Sequence, residues 1–171
     1  ATFGAGEDNV TILDPAGTFF ARYDVNGNLL WAKKGSGANG QSITEMPDDS
    51  FVVTGYFSGS TVFGEGEENE AEIYLPPGTC IYIARYSSNG TLIWVKARTG
   101  LTTESQAVDC FLNNSIISVG HYKYLTTFGS GENNETTIES TGENDICLAK
   151  YNDNGNLSWV KKAGGAYDDY G

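Results

Sequence analysis

Short runs of β-branched and aromatic residues alternate with clusters of Asn, Asp, Ser and Gly along the whole chain. No stretch of about 11 or more residues sustains a helical period. "SFVVTGYF" at 50–57 and "SIISVGHY" at 115–122 each follow a polar pair, Asp48-Asp49 and Asn113-Asn114, which predicts a turn and then a strand. "FFARY", "YIARY" and "CLAKY" each run on to an Asn-Gly pair, at Asn26-Gly27, Asn89-Gly90 and Asn154-Gly155. Asn-Gly between apolar runs predicts a hairpin, because both residues tolerate positive φ. Beyond the turn, Leu29, Trp31 and Lys33 are expected on one face, with Leu30 and Ala32 on the other. Leu92-Trp94-Lys96 and Leu157-Trp159-Lys161 repeat that spacing.

These segments are copies of one unit. Tyr23, Tyr86 and Tyr151 stand 63 and then 65 residues apart, and the residues around them align without gaps. A second shared phrase lies upstream: "TFGAGEDN" from Thr2, "VFGEGEEN" from Val62 and "TFGSGENN" from Thr127. A third links Gln41–Tyr56 with Gln106–Tyr122. The strands carry apolar residues on both faces, whereas a sheet resting on a single core alternates apolar and polar. Short antiparallel sheets stacked face to face describe a β-propeller, one sheet per blade. The expected fold is therefore all-β, with repeats of about 60–65 residues and an incomplete ring. Residues 1–34 are the outer part of one blade, 35–97 and 98–162 are repeat units, and 163–171 open a further unit, all within one repeat domain. The expected repeat core is Phe20, Tyr23, Trp31, Ile83, Tyr86, Trp94, Leu148, Tyr151 and Trp159.

Charge narrows the function classes. Twenty-two acids against ten bases give a net charge of −12, which argues against a nucleic-acid partner and against docking on anionic lipid. No apolar run approaches the roughly 18 residues of a membrane-spanning helix, so no membrane insertion is expected. Nearly all the bases lie in or beside the repeated "A-R/K-Y…W-x-K" phrase, and most of the acids precede it. Each repeat thus has a basic strand and an acidic rim. Cys80, Cys110 and Cys147 show no CxxC spacing and fall in three different columns of the repeat. Partly buried thiols are expected, and a disulfide between two of them stays open.

"FFARYDVNGNLLWAKK" at 19–34, "DSFVVTGYFSG" at 49–59, the trailing "TVFG" and the terminal "GGAYDDYG" together resemble the bacterial β-propeller repeat often called SBBP. The resemblance covers essentially the whole chain. It implies a secreted or surface-exposed bacterial or archaeal protein with a scaffold or interaction role. That family has no defining catalytic residues, so the resemblance implies no enzyme.

The remaining motifs are weaker. "DVNGN" at 24–28 has the alternating oxygens of a calcium loop but lacks its distant Glu, so a hairpin turn is the simpler account. The stretch also differs from the sialidase Asp-box, since no Asp stands two before the glycine in all three copies. The acidic segments exclude a phosphate cradle. They leave Glu65, Glu67, Glu68 and Glu132 as calcium candidates, set against a solvated loop that keeps a strand edge soluble. No other cofactor is expected. His121 is the sole histidine and has no partner for a catalytic triad in the pattern. Asn9 and Asn134 head the sequons best placed for glycosylation. Two functions stay open. One is an extracellular or cell-surface structural and interaction module, whose partners are further blades of a longer chain or other copies of itself. The alternative is a carbohydrate-binding propeller, with glycans stacked on Tyr56, Phe57, Tyr122 and Tyr124.

Overall fold

The computed structural model describes residues 1–13, 17–98 and 102–170, the side chains at 75–77 and 102–106 excepted. Turn clusters and β-branched runs resolve into twelve strands, all paired antiparallel, and no helix occurs among the described residues. The first unit supplies β1 (Thr2–Phe3), β2 (Thr11–Ile12), β3 (Thr18–Tyr23) and β4 (Leu29–Ser36). The second supplies β5 (Asn39–Glu45), β6 (Phe51–Phe63), β7 (Ala71–Tyr86) and β8 (Leu92–Ala97). The third supplies β9 (Thr102–Cys110), β10 (Ile116–Phe128), β11 (Thr136–Tyr151) and β12 (Leu157–Ala163). β5–β8 and β9–β12 are each four-stranded meanders in chain order. The β3–β4 hairpin joins the β5–β8 sheet at one pair, Ser36 opposite Phe63.

The three units pair in the same register. Phe3 lies opposite Thr11, Phe63 opposite Ala71 and Phe128 opposite Thr136. In the outer hairpins Arg22 faces Trp31, Arg85 faces Trp94 and Lys150 faces Trp159.

Two details depart from the alternation expected of the sequence. The outer hairpin turns put only their glycines at positive φ, with Gly27 at 85°, Gly90 at 79° and Gly155 at 75°. Each is a type I turn closed from the glycine N–H to the carbonyl of Asp24, Ser87 or Asn152 at 2.8–3.0 Å, and then a left-handed glycine. The Asn beside each glycine stays right-handed because the residue opening the turn satisfies the loop amides. Asp24 Oδ1, for example, accepts the Asn26 and Asn28 N–H groups, both at 2.8 Å.

The second departure is a β-bulge. Tyr23 pairs with Leu29 and Arg22 with Trp31, so Leu30 is an extra residue, as are Ile93 and Ser158 in the other units. The bulge reverses the parity, so the Leu and Trp of each strand do not share a face. Leu92 packs beside Tyr86 in one core, and Trp94 packs against the other.

Because of that arrangement the middle of the β5–β8 sheet, residues 51–55 of β6 and 80–86 of β7, is buried on both sides. One face sends Val53, Tyr82, Ala84 and Tyr86 to meet Phe20 of β3. The other sends Val52 and Ile83 to meet Ile116, Phe128 and Tyr151 of the next unit. Of the expected core residues Phe20, Ile83, Tyr86 and Tyr151 are buried, with Trp31 and Trp94 packed against the two cores. Tyr23, Leu148 and Trp159 are not, and all three lie on a face that no neighbouring sheet covers.

Candidate interaction surface

The joint between successive units is built from the outer hairpins. Gly90 of the second unit sits so close to Trp31 of the first that an added Cβ would stand 3.1 Å from the indole ring. Gly155 of the third unit stands against Trp94 in the same way, at 2.9 Å. The basic residue opposite each Trp reaches the same turn. Arg22 Nη1 donates to Ser88 O at 3.3 Å, and Arg85 Nη1 to Asp153 O at 2.9 Å. Trp94 Nε1 also donates to Asp153 O, at 3.1 Å. Arg85 is buried and fully engaged. Its Nε donates to Ser50 Oγ at 2.9 Å, and its guanidinium pairs with Asp48 at 2.6 Å and with the Asp153 carboxylate. Lys96 closes the joint with Glu132 at 2.9 Å.

Part of the acidic rim performs a structural task. Glu7, Glu67 and Glu132 each turn a carboxylate oxygen back onto the outer hairpin and accept the N–H of Leu29, Leu92 and Leu157, at 2.5, 2.7 and 2.6 Å. Asn9, Asn69 and Asn134 donate to the carbonyls of the same leucines at 3.1–3.2 Å. Each leucine peptide is thus held at both ends by a Glu-x-Asn clasp. Of the calcium candidates, Glu67 and Glu132 already hold these amides, while Glu65 and Glu68 project into solvent. Among the described residues no three His, Cys, Asp or Glu side chains form a group that could hold a metal ion. The sequon residues Asn9 and Asn134 have their amide nitrogens committed to the clasp.

The residues expected to stack on sugar do not form a surface. Tyr122 is fully buried and donates its hydroxyl to Glu139 O at 3.2 Å, and Phe57 is 3% exposed within the other core. Neither ring has a face free for a ligand, because both point into a core. Tyr56 is half-buried, and Tyr124 is 53% exposed on a residue with φ of 63°. His121 is buried, with Tyr170 packed edge-on at 4.9 Å. Cys147 is buried, and burial pushes its thiol up from the ordinary value. Cys110 Sγ approaches Glu45 O at 3.0 Å.

The outermost units are half-dressed. Tyr23 is 46% exposed, against 1% for Tyr86 and 3% for Tyr151. Gly27 is exposed where Gly90 and Gly155 are buried. At the other end Ile117, Val119, Ile146 and Leu148 are half-buried, whereas Val52, Thr54, Ile81 and Ile83 at the same repeat positions are covered. Beside β3 a cleft of about 640 Å³ opens between Thr18–Phe20 and Asn39–Ile43. A smaller one of about 250 Å³ lies between Phe20, Trp31, Ile43 and Phe51.

No known protein-family profile matches the chain. The chain is similar, at 28% identity over 159 residues, to an uncharacterized WD repeat-containing protein of Acanthamoeba polyphaga mimivirus. The similarity takes in 85% of this chain and 11% of that protein, so the chain spans about a ninth of the length of this relative.

Proposed function

We propose that this chain is a non-catalytic protein-interaction module built of β-propeller repeats of the SBBP kind. The observation that carries the reading is the twice-repeated joint, in which a Trp and a basic residue of one sheet hold the glycine turn of the next. Such a joint makes stability accrue unit by unit, as in other repeat proteins, and leaves turns and clasp loops on the rims to meet a partner. The similarity to a WD repeat-containing protein supports the propeller reading. The module belongs to an extracellular or cell-surface protein, in keeping with the acidic, turn-rich rims. The clasp carboxylates already have backbone donors, which favours a structural task for them over calcium binding.

Cross-linking the native protein in its own cells, followed by mass spectrometry, tests the reading. The expected result is cross-links from lysines near the unit joints to defined protein partners, together with silence on a glycan array. Reproducible glycan binding that disappears in Tyr124→Ala would replace the interaction module with a lectin.

A further inference from the structure

Arg98 is buried as deeply as Arg85, at 5% against 6% exposure, but its company differs. Arg85 meets two carboxylates, whereas Arg98 makes no ion pair among the described residues. Its guanidinium lies 4.4 Å over the Phe128 ring and its Nη2 donates to Ser118 Oγ at 3.1 Å. Nη1 approaches Cys147 Sγ at 3.8 Å, and Nε has no hydrogen-bond partner. Burial holds the Cys147 thiol above its ordinary value, so the sulfur stays protonated and brings no negative charge. Asp145, a buried acid on the same face of β11, is turned to Thr141 N–H at 2.9 Å and covered by Gly164. A buried charge without a counter-charge is costly, and a buried donor without an acceptor adds to that cost.

The first joint closes without any of this. Gly35, Val53 and Tyr82 stand there at the repeat positions of Arg98, Ser118 and Cys147. A Cβ on Gly35 would come within 2.1 Å of the Phe20 ring, so no side chain fits, and Tyr86 donates its hydroxyl to Gly35 O at 3.4 Å. In the second joint the small Ser118 and Cys147 admit a guanidinium between the sheets. Tyr151, the counterpart of Tyr86, is left with a buried hydroxyl that has no partner, close to Ser118 and the Arg98 charge. Three coordinated replacements at one place, which the fold does not require, point to a ligand.

We propose that the joint between the second and third units binds a small, singly charged anion of the halide class, held by the Arg98 Nε–H, Ser118 O–H and Tyr151 O–H groups. All three are donors, which selects an anion over a cation. One guanidinium balances one negative charge, and a phosphate would bring a second that nothing there matches. The surroundings limit size too, since Arg98, Ser118, Phe128, Cys147 and Tyr151 are each at most 5% exposed. Arg98 N–H also donates to Ile81 O at 2.9 Å, so the ion would fasten the β7–β8 hairpin to the next sheet. This site is separate from the rims and does not depend on which partner they meet.

Melting temperature in sodium chloride against sodium gluconate, at matched ionic strength, gives the first test. The expected result is a rise that saturates with chloride, as mass action requires of a ligand held by the folded state. Arg98→Met should lose that rise while keeping its circular dichroism spectrum. Crystals of the wild-type protein grown in sodium bromide give the second test, which stands even if the variant fails to fold. An anomalous peak beside Arg98 Nε and the Tyr151 hydroxyl is expected. An equal chloride response in the wild type and in Arg98→Met overturns the proposal. So does a crystal in which a water molecule or the Asp145 carboxylate takes that position.

Discussion

Arg85 concentrates the residue-scale chemistry of the joint. Its guanidinium is buried while its two carboxylate partners are about half exposed, so the pairs are partly screened. Arg85→Met is expected to cost about 1–3 kcal/mol, below the roughly 3–5 kcal/mol of a wholly buried pair, as read by urea unfolding. Asp48 gives the joint a pH signature. The Ser50 hydroxyl first, and the Arg85 charge after it, hold its carboxyl below the ordinary 3.8. A depressed carboxyl contributes stability that is present above 3.8 and lost as pH falls through the lower folded value. Acid titration of the melting temperature should therefore be shallower in Asp48→Asn than in the wild type. The opposite sign holds for Tyr82, whose phenol burial pushes up to about 12 from 10.0. Its contribution is complete below pH 10 and lost as pH rises toward 12. Near-ultraviolet phenolate absorbance and loss of structure should then climb together over that interval, and Tyr82→Phe should separate them.

At the scale of the element, the strands and their turns were legible because β-branched runs and Asn-Gly pairs act locally. The all-β, antiparallel character follows from them. The face on which each side chain lands was not legible. Leu30 reads as one more member of an alternating strand, and nothing in its own chemistry marks it as the residue that drops out of register. The bulge is fixed by the hairpin's closure on Asp24 and by the clasp on Leu29. The Glu-x-Asn clasp was hidden for a related reason. An acidic, glycine-rich stretch looks solvated until the outer hairpin, more than twenty residues away, is placed beneath it. Glu132→Ala removes the acceptor for Leu157 N–H and the partner of Lys96, and is expected to lose about 1–3 kcal/mol by thermal or urea unfolding. Glu132→Gln keeps a carbonyl acceptor and should recover most of that loss. Sugar-stacking aromatics could not be judged from the sequence either, since Tyr122 and Tyr124 are two residues apart yet one is fully buried and the other is exposed.

Across the whole molecule, stability is graded by how many faces of a sheet are covered. β6 and β7 are enclosed on both sides at 51–55 and 80–86, β10 and β11 mainly on one, and the β3–β4 hairpin is held to its neighbour by a single strand pair, by side-chain packing and by Arg22. Amide hydrogen exchange should accordingly be slowest in β6 and β7, intermediate in β10 and β11, and fastest in β3. Phe63 and Phe128 occupy the same repeat position and are both fully buried, in different cores. Phe63→Ala and Phe128→Ala should each cost about 3–5 kcal/mol, and their effects should be close to additive in the double variant.

The bulge in each outer hairpin has a consequence for heredity. By sending Leu to one side and Trp to the other, it equips every unit with both parts of its own fastening. A stretch of gene encoding one unit then carries one half of the seam on either side of it, so the unit is also the natural length in which such a chain is copied.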